Sequence, residues 1–256
     1  MRTKWFLSLV LVGTTSVFAG GYTNDFSSYS TVTDLGDGTT IASSDGQAQV
    51  WNGKLRLTQD TSSYDGQVGN FALYDLDPGQ AITGFTVSFD SLIKATSTSA
   101  DGFSLNFGTL PSSLPNGGEQ GMTSSSLLTI AWDTYGPNTG INVYLNGSSS
   151  ALAHNAYSPI VEDNFNDPLT SASIVWDSES GLDVVYNGQT IFSGLDVSGF
   201  SATEGDCFAF AARTGASYED VFIDNLEVAT VPEPVSALLL GMTSLLLIGW
   251  RRLFSH

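Results

Sequence analysis

Leu127-Leu128-Thr129-Ile130-Ala131-Trp132-Asp133-Thr134-Tyr135, followed by Gly140-Ile141-Asn142-Val143-Tyr144-Leu145 and then Asn146-Gly147, is the stretch on which the fold turns. Its apolar runs are too short for helices and rich in β-branched and aromatic residues, which marks buried or half-buried strands. Asn-Gly tolerates the positive φ of a tight turn, so Gly140 to Leu145 with Asn146-Gly147 reads as one arm of a β-hairpin. Leu182 to Tyr186, Asn187-Gly188 and Gln189 to Phe192 repeat the pattern. Asn-Gly recurs at 52-53 and 116-117, and Asp-Gly at 37-38, 45-46, 65-66 and 101-102. Phe85, Val87 and Phe89 alternate with Thr86, Ser88 and Asp90, giving one apolar face at period two. Ile174 to Trp176, Cys207 to Ala212 and Val221 to Val228 are further strands, whereas Thr96 to Ser99 and Thr123 to Ser126 read as surface loops. With about a dozen strands and no sustained helical or repeat period, the expectation is an all-β, two-sheet antiparallel jelly-roll sandwich.

Charge narrows the function. The 256 residues carry 8 Lys+Arg and 26 Asp+Glu, a net of −18. Between residues 20 and 231 only Lys54, Arg56, Lys94 and Arg213 oppose 25 acids, a net of −21. That excludes a nucleic-acid partner, whose backbone is held by Lys and Arg. The single cysteine, Cys207, permits no intrachain disulfide.

Both ends carry processing patterns. Arg2 and Lys4, the apolar run Trp5 to Val12, and Val17 and Ala19 form a three-part secretory signal over residues 1–19, with signal peptidase cutting after Ala19. At the other end Pro232-Glu233-Pro234 precedes an uncharged run, Val235 to Trp250, and then Arg251 and Arg252. A helix of that length reaches roughly 24 Å, slightly short of the ~30 Å hydrocarbon core, and the Arg pair holds its end on the cytoplasmic side. These residues resemble the PEP-CTERM sorting signal of Gram-negative bacteria. The resemblance implies an exosortase-type processing enzyme, transient inner-membrane insertion, and delivery to the cell surface or extracellular matrix; the alternative is an ordinary C-terminal anchor. The expected domains are a signal peptide (1–19), a β-sandwich (20–230) and a sorting tail (231–256).

Three interior stretches resemble the concanavalin-A-like (L-type) lectin and glucanase superfamily. They are Ala100-Asp101-Gly102-Phe103 with Ser104 to Gly108; Leu128 to Tyr135 with Asn138 and Gly140 to Val143; and Phe208 to Gly215 with Val221 to Leu226. The resemblance implies sugar binding by Asp101, with Gly102 and Asn138 beside it, since a carboxylate accepts hydrogen bonds from several hydroxyls. The plain alternative is that Asp101-Gly102 is a turn. It also implies a Ca²⁺ site using Asp133, the Tyr135 carbonyl and Asn138, with a second, separate candidate at Asp224. Ala131 stands where the family has an acidic residue, and Thr139-Gly140 supplies no further carboxylate, so transition-metal ligands are missing. Trp51, Trp132 and Trp176 are candidates for stacking on sugar rings, although their strand positions favour the core.

Catalysis finds less support. The glucanase pattern Glu-x-Asp-x-(x)-Glu, which sets two carboxylates on one face, does not occur. The interior has one histidine, His154, read as a solvated loop residue, so nucleophile triads lack their base. Three functions therefore stand in order: a non-catalytic carbohydrate-binding module whose partner is polysaccharide, a structural matrix component, and a divergent glycosidase using Glu119 or Glu162.

Overall fold

The computed structural model describes residues 20–63, 66–111 and 118–232. The first strands are β1 (Gly21–Asn24), β2 (Thr31–Val32), β3 (Thr40–Ser43), β4 (Gln49–Trp51), β5 (Lys54–Thr58) and β6 (Val68–Ala72). The middle of the chain adds β7 (Ile82–Lys94), β8 (Gly102–Gly108), β9 (Ser126–Asp133), β10 (Gly140–Leu145), β11 (Ala153–Asn155) and β12 (Val161–Glu162). The last are β13 (Thr170–Asp177), β14 (Gly181–Tyr186), β15 (Gln189–Leu195), β16 (Cys207–Arg213) and β17 (Asp220–Pro232). One sheet runs β15-β14-β13-β7-β17-β5-β4-β2, with β1 added to β17 and β12 to β7; the other runs β11-β10-β9-β8-β16-β6-β3. The strand count exceeds the dozen expected, because short edge pieces such as β2 and β12 carry no apolar period of their own. Pairing is antiparallel throughout except for β12 on β7. Among the described residues no helix is long and apolar enough to cross a membrane; the expected signal and the apolar run 235–250 lie outside them.

Alternation decides which face meets which. Phe85, Val87 and Phe89 of β7 are at most 2% exposed. They face Phe103, Leu105 and Phe107 of β8 and Phe208 and Phe210 of β16 in one core cluster. Phe89 sits edge-on to Phe210, Trp132 and Phe103, with centroids 4.9, 5.5 and 6.1 Å away. Phe103 and Trp132, partners across β8 and β9, stack at 4.6 Å and 4°. Such pairs add about 0.5–1.5 kcal/mol beyond the area they bury. Trp132 and Trp176 are core residues, as their positions implied. Trp51 is half-buried on the opposite face, stacked on Phe222, with the Arg56 guanidinium 5.4 Å from its ring.

The turn dipeptides separate into two outcomes. Asn187 (φ 50) and Gly188 (φ 68) connect β14 and β15 as a two-residue hairpin with Tyr186 opposite Gln189. Asn52 and Gly53 do the same for β4 and β5. Asn146 and Gly147 turn equally tightly, yet the partner strand begins only at Ala153, opposite Val143. Here tertiary contact overrides local preference: the Asn146 amide donates to the Gly199 carbonyl at 2.7 Å, and a Cβ on Gly147 would lie 2.3 Å from the Ser124 carbonyl oxygen. Two further expectations are corrected. Ser126 is not a loop residue but opens β9, with its hydroxyl buried among the Phe107 and Leu128 carbonyls. His154 lies on edge strand β11 instead of a loop, because it pairs with Asn142 across the sheet and its Nδ1 meets Asn142 Oδ1 at 2.8 Å.

Candidate functional site

β8 begins where β9 and β16 end, so the register places Gly102 opposite both Asp133 and Arg213. Asp101, one residue before β8, therefore stands at the rim of the second sheet. Its backbone is held on both sides. The Asp101 N–H donates to the Arg213 carbonyl at 2.9 Å, and its own carbonyl accepts from Gln120 Nε2 at 3.1 Å and from the Thr134 N–H at 3.4 Å. The Ala100–Asp101 peptide bond is cis. Gly102 adopts φ +107, and a Cβ there would lie 1.9 Å from the Trp132 carbonyl oxygen, so glycine is required for β8 to meet β9.

The Asp101 carboxylate differs from its backbone: among the described residues it accepts no hydrogen bond. Arg213 Nε is 4.0 Å from Oδ2, and a Cβ on Gly215 would lie 3.4 Å from both carboxylate oxygens. Burial pushes the Asp101 carboxyl up, Arg213 opposes the rise, and Glu119 adds to it. Asp133 is 3% exposed and is likewise raised, first by burial. The Tyr135 N–H, 2.9 Å from Oδ1, counters that rise, Glu119 and Asp101 reinforce it, and His154 weakly opposes it. Three carboxylates thus crowd one rim.

Gln120 reaches Asp101 because the 3₁₀ turn Glu119–Gly121 lies flat on the outer face of the second sheet. Ser104 Oγ donates to the Gln120 carbonyl at 2.8 Å, and a Cβ on Gly121 would lie 2.7 Å from Ala211 atoms. Glu219 closes the site from beneath and was not singled out as a site residue from the sequence. It is fully buried, with Oε1 accepting the Gly102 N–H at 2.6 Å and Oε2 accepting the Thr134 hydroxyl at 2.9 Å and the Ser99 hydroxyl. Burial pushes its carboxyl up to about 7 against those three donors, with Asp101 adding to the rise. The one local cue, an acid just before the apolar run of β17, is too common to be diagnostic. The partners that define its role lie 85 to 120 residues away.

Asp101, Gly102, Asp133 and Tyr135 are brought together. Asn138 lies in the loop between the paired residues Asp133 and Gly140; it is exposed, and its carbonyl accepts from Asn142 Nδ2 at 3.1 Å. Asp224 belongs elsewhere, opposite Asp90 on β17, where it lines a hollow of about 500 Å³ with Asp25, Asn52, Lys54 and Asn225. Burial raises its carboxyl, Lys54 opposes that, and Asp90 and Asp25 reinforce it. Glu119 is exposed at the rim, whereas Glu162 sits on β12 beside Lys94. Pro232 ends β17 opposite Ile82; Ala19, Glu233, Pro234, Arg251 and Arg252 lie outside the described residues.

Two stacked antiparallel sheets in this order form a legume-lectin-like sandwich fold. Solved structures of low sequence identity share it. Lectin II from Ulex europaeus is 17% identical over 82% of this chain and 97% of its own, with a TM-score of 0.56. Basic winged bean lectin with Tn-antigen is 13% identical over 84% and 100%, TM-score 0.60. The VIP36 exoplasmic/lumenal domain in its Ca²⁺/Man3GlcNAc-bound form is 16% identical over 77% and 85%, TM-score 0.57. No protein-family model and no curated protein sequence matches the chain.

Proposed function

We propose that this chain is an exported, non-catalytic carbohydrate-binding protein of the cell surface or extracellular matrix, with polysaccharide as its partner and Asp101 as its sugar contact. One observation carries the reading: three hydrogen bonds pin the Asp101 backbone while, among the described residues, its carboxylate accepts no hydrogen bond and has Arg213 beside it at 4.0 Å. A pre-positioned acceptor loses little freedom when sugar hydroxyls donate to it. Gly102 lets β8 approach β9, and Asn138 offers an exposed amide from the adjoining loop. The fold shared with sugar-bound lectins supports the assignment. The test is a glycan array with the mature protein and Asp101→Asn. Saturable retention should weaken at least tenfold in the variant, about 1.4 kcal/mol, with an unchanged melting temperature. Retention that survives the change overturns the site, and no retention on any glycan favours a structural matrix component. Reducing-sugar release that depends on Glu119 or Glu162 favours a glycosidase.

We propose a Ca²⁺ site at the same rim that rests on Asp133 and neighbouring neutral oxygens, since among the described residues no group of three or more His, Cys, Asp or Glu side chains is gathered for a metal ion. Asp133 is a buried carboxylate crowded by Asp101 and Glu119, with no Lys or Arg within 4 Å of it among the described residues. Asp133, the Tyr135 carbonyl and Asn138 are the hard oxygen donors that would hold the ion, and Ala131 removes the chemistry for a transition metal. A bound Ca²⁺ would neutralise the acids and fix the Asn138 loop. Calorimetric titration after EDTA treatment should give saturable heat and a rise in melting temperature, both lost in Asp133→Asn. A response that persists in that variant would instead point to the Asp224 hollow.

Export and sorting rest on the terminal residues. Strand β17 supports the arrangement: its 13 residues span about 40 Å at ~3.3 Å each. It starts beside Glu219 at the Asp101 rim and ends at Pro232. Pro232 therefore lies at the far end of β17 from Glu219 and the Asp101 rim.

A further inference from the structure

We infer that cleavage after Ala19 creates a binding partner for the buried Asp77: the new α-ammonium group of Gly20, which locks the mature N-terminus onto the last strand. This rests on the export reading above and extends it to a site within the folded domain. Asp77 is 3% exposed. Its Oδ1 accepts the Gly20 backbone N–H at 3.0 Å, and its Oδ2 meets the Thr230 hydroxyl. Among the described residues no Lys, Arg or His side chain lies within 4 Å of its carboxylate. The other acid at this turn, Asp75, faces it only through the backbone, accepting the Asp77 N–H at 2.9 Å. A carboxylate removed from water without a counter-charge is costly, and the cost falls when a cation occupies a donor position already aimed at it.

Gly20 is held in that position by the sheet. Its carbonyl accepts the Thr230 N–H at 3.0 Å, continuing the β1–β17 ladder in which Gly21 faces Ala229. The Thr230 hydroxyl stands 3.0 Å from the same carbonyl; it has one proton, which it donates to Asp77. No other residue fits at this place, because a Cβ on Gly20 would lie 2.2 Å from the Leu76 carbonyl oxygen. In the uncut chain the atom facing Asp77 is a neutral amide. Hydrolysis of the Ala19–Gly20 peptide adds water across that bond, leaves the carboxylate on Ala19, and turns the Gly20 nitrogen into an ammonium at the same place. Maturation thus exchanges a neutral hydrogen bond for an ion pair beside the end of β17 that leads into the sorting tail.

The test uses the full chain exported from cells with its own leader. Mass spectrometry of the N-terminal peptide identifies the first residue, and reductive dimethylation at neutral pH measures the reactivity of the Gly20 amine against Lys54 and Lys94. Only the uncharged amine reacts, so pairing with Asp77 should slow labelling roughly tenfold for each unit its pKa rises. Asp77→Asn should restore ordinary reactivity. Should that variant fail to fold, insertion of one alanine between Ala19 and Gly20 moves the amine out of reach with Asp77 intact and should have the same effect. A mature chain starting at Gly20 whose amine labels as fast as in the insertion variant overturns the lock and leaves export standing. A mature chain starting elsewhere overturns the cleavage reading and the lock with it.

Discussion

Among the described carboxylates, Glu219 is the one whose ionisation the fold has altered most plainly. Its carboxyl, pushed up to about 7 by complete burial, holds the Gly102 N–H and the Ser99 and Thr134 hydroxyls together. The folded state therefore binds this proton more tightly than the unfolded chain does. The contribution of Glu219 to stability is full below its unfolded value near 4.5 and is lost as pH rises through about 7. Glu219→Gln keeps an acceptor for Gly102 and should flatten this slope by an amount on the order of 3 kcal/mol; chemical denaturation at pH 4.5 and 8 measures it. An unchanged slope would mean the carboxyl is ionised throughout. Asp101 could be proposed as a candidate from the contiguous motif formed by Ala100, Gly102 and Phe103, whereas nothing adjacent to Glu219 announces that Ser99 and Thr134 will close around it.

Strands β8 and β9 show how an element makes a site. Alternation sends Phe103, Leu105 and Phe107 inward and leaves Ser104 and Asn106 on the other face, where Ser104 anchors the Gln120 turn that grips Asp101. The close approach at Gly102 sets the whole register. Gly102→Ala places a methyl group 1.9 Å from the Trp132 carbonyl oxygen at φ +107, and should cost more than about 3 kcal/mol in urea unfolding and abolish glycan retention. A stable Gly102→Ala protein would show that the rim yields. Element identity was readable from the period-two run in β7, the apolar run of β9 and the hairpin pattern that joins β14 to β15. The loop after Asn146 was not, since the same dipeptide gives a two-residue hairpin at Asn187 and a wider return at Asn146. The difference lies in Gly199 and Ser124, distant residues that hold the second turn apart.

At the scale of the molecule, β17 carries the geometry. It is the central neighbour of β7, it takes β1 at one end, and it begins at Asp220, directly after Glu219, and ends at Pro232. Gly20 and Pro232, the first and last described residues, therefore share the end opposite Asp101. An epitope tag after Arg252 should be absent from the mature surface protein if the tail is removed by sorting; immunoblotting of membrane and surface fractions reads this, and a retained tag means a simple anchor. The sequence by itself determined the longer strands, the two-sheet class and the acidic interior, because period and charge are local properties of the chain. Only the tertiary structure decided that Asp101 is pinned by its backbone with Arg213 beside its carboxylate, that Glu219 lies beneath it, that Asp224 belongs to another hollow, and that Gly20 faces Asp77. Each of those depends on residues far apart in sequence being set side by side by strand pairing, and the burial that shifts their chemistry exists only once the two sheets have closed.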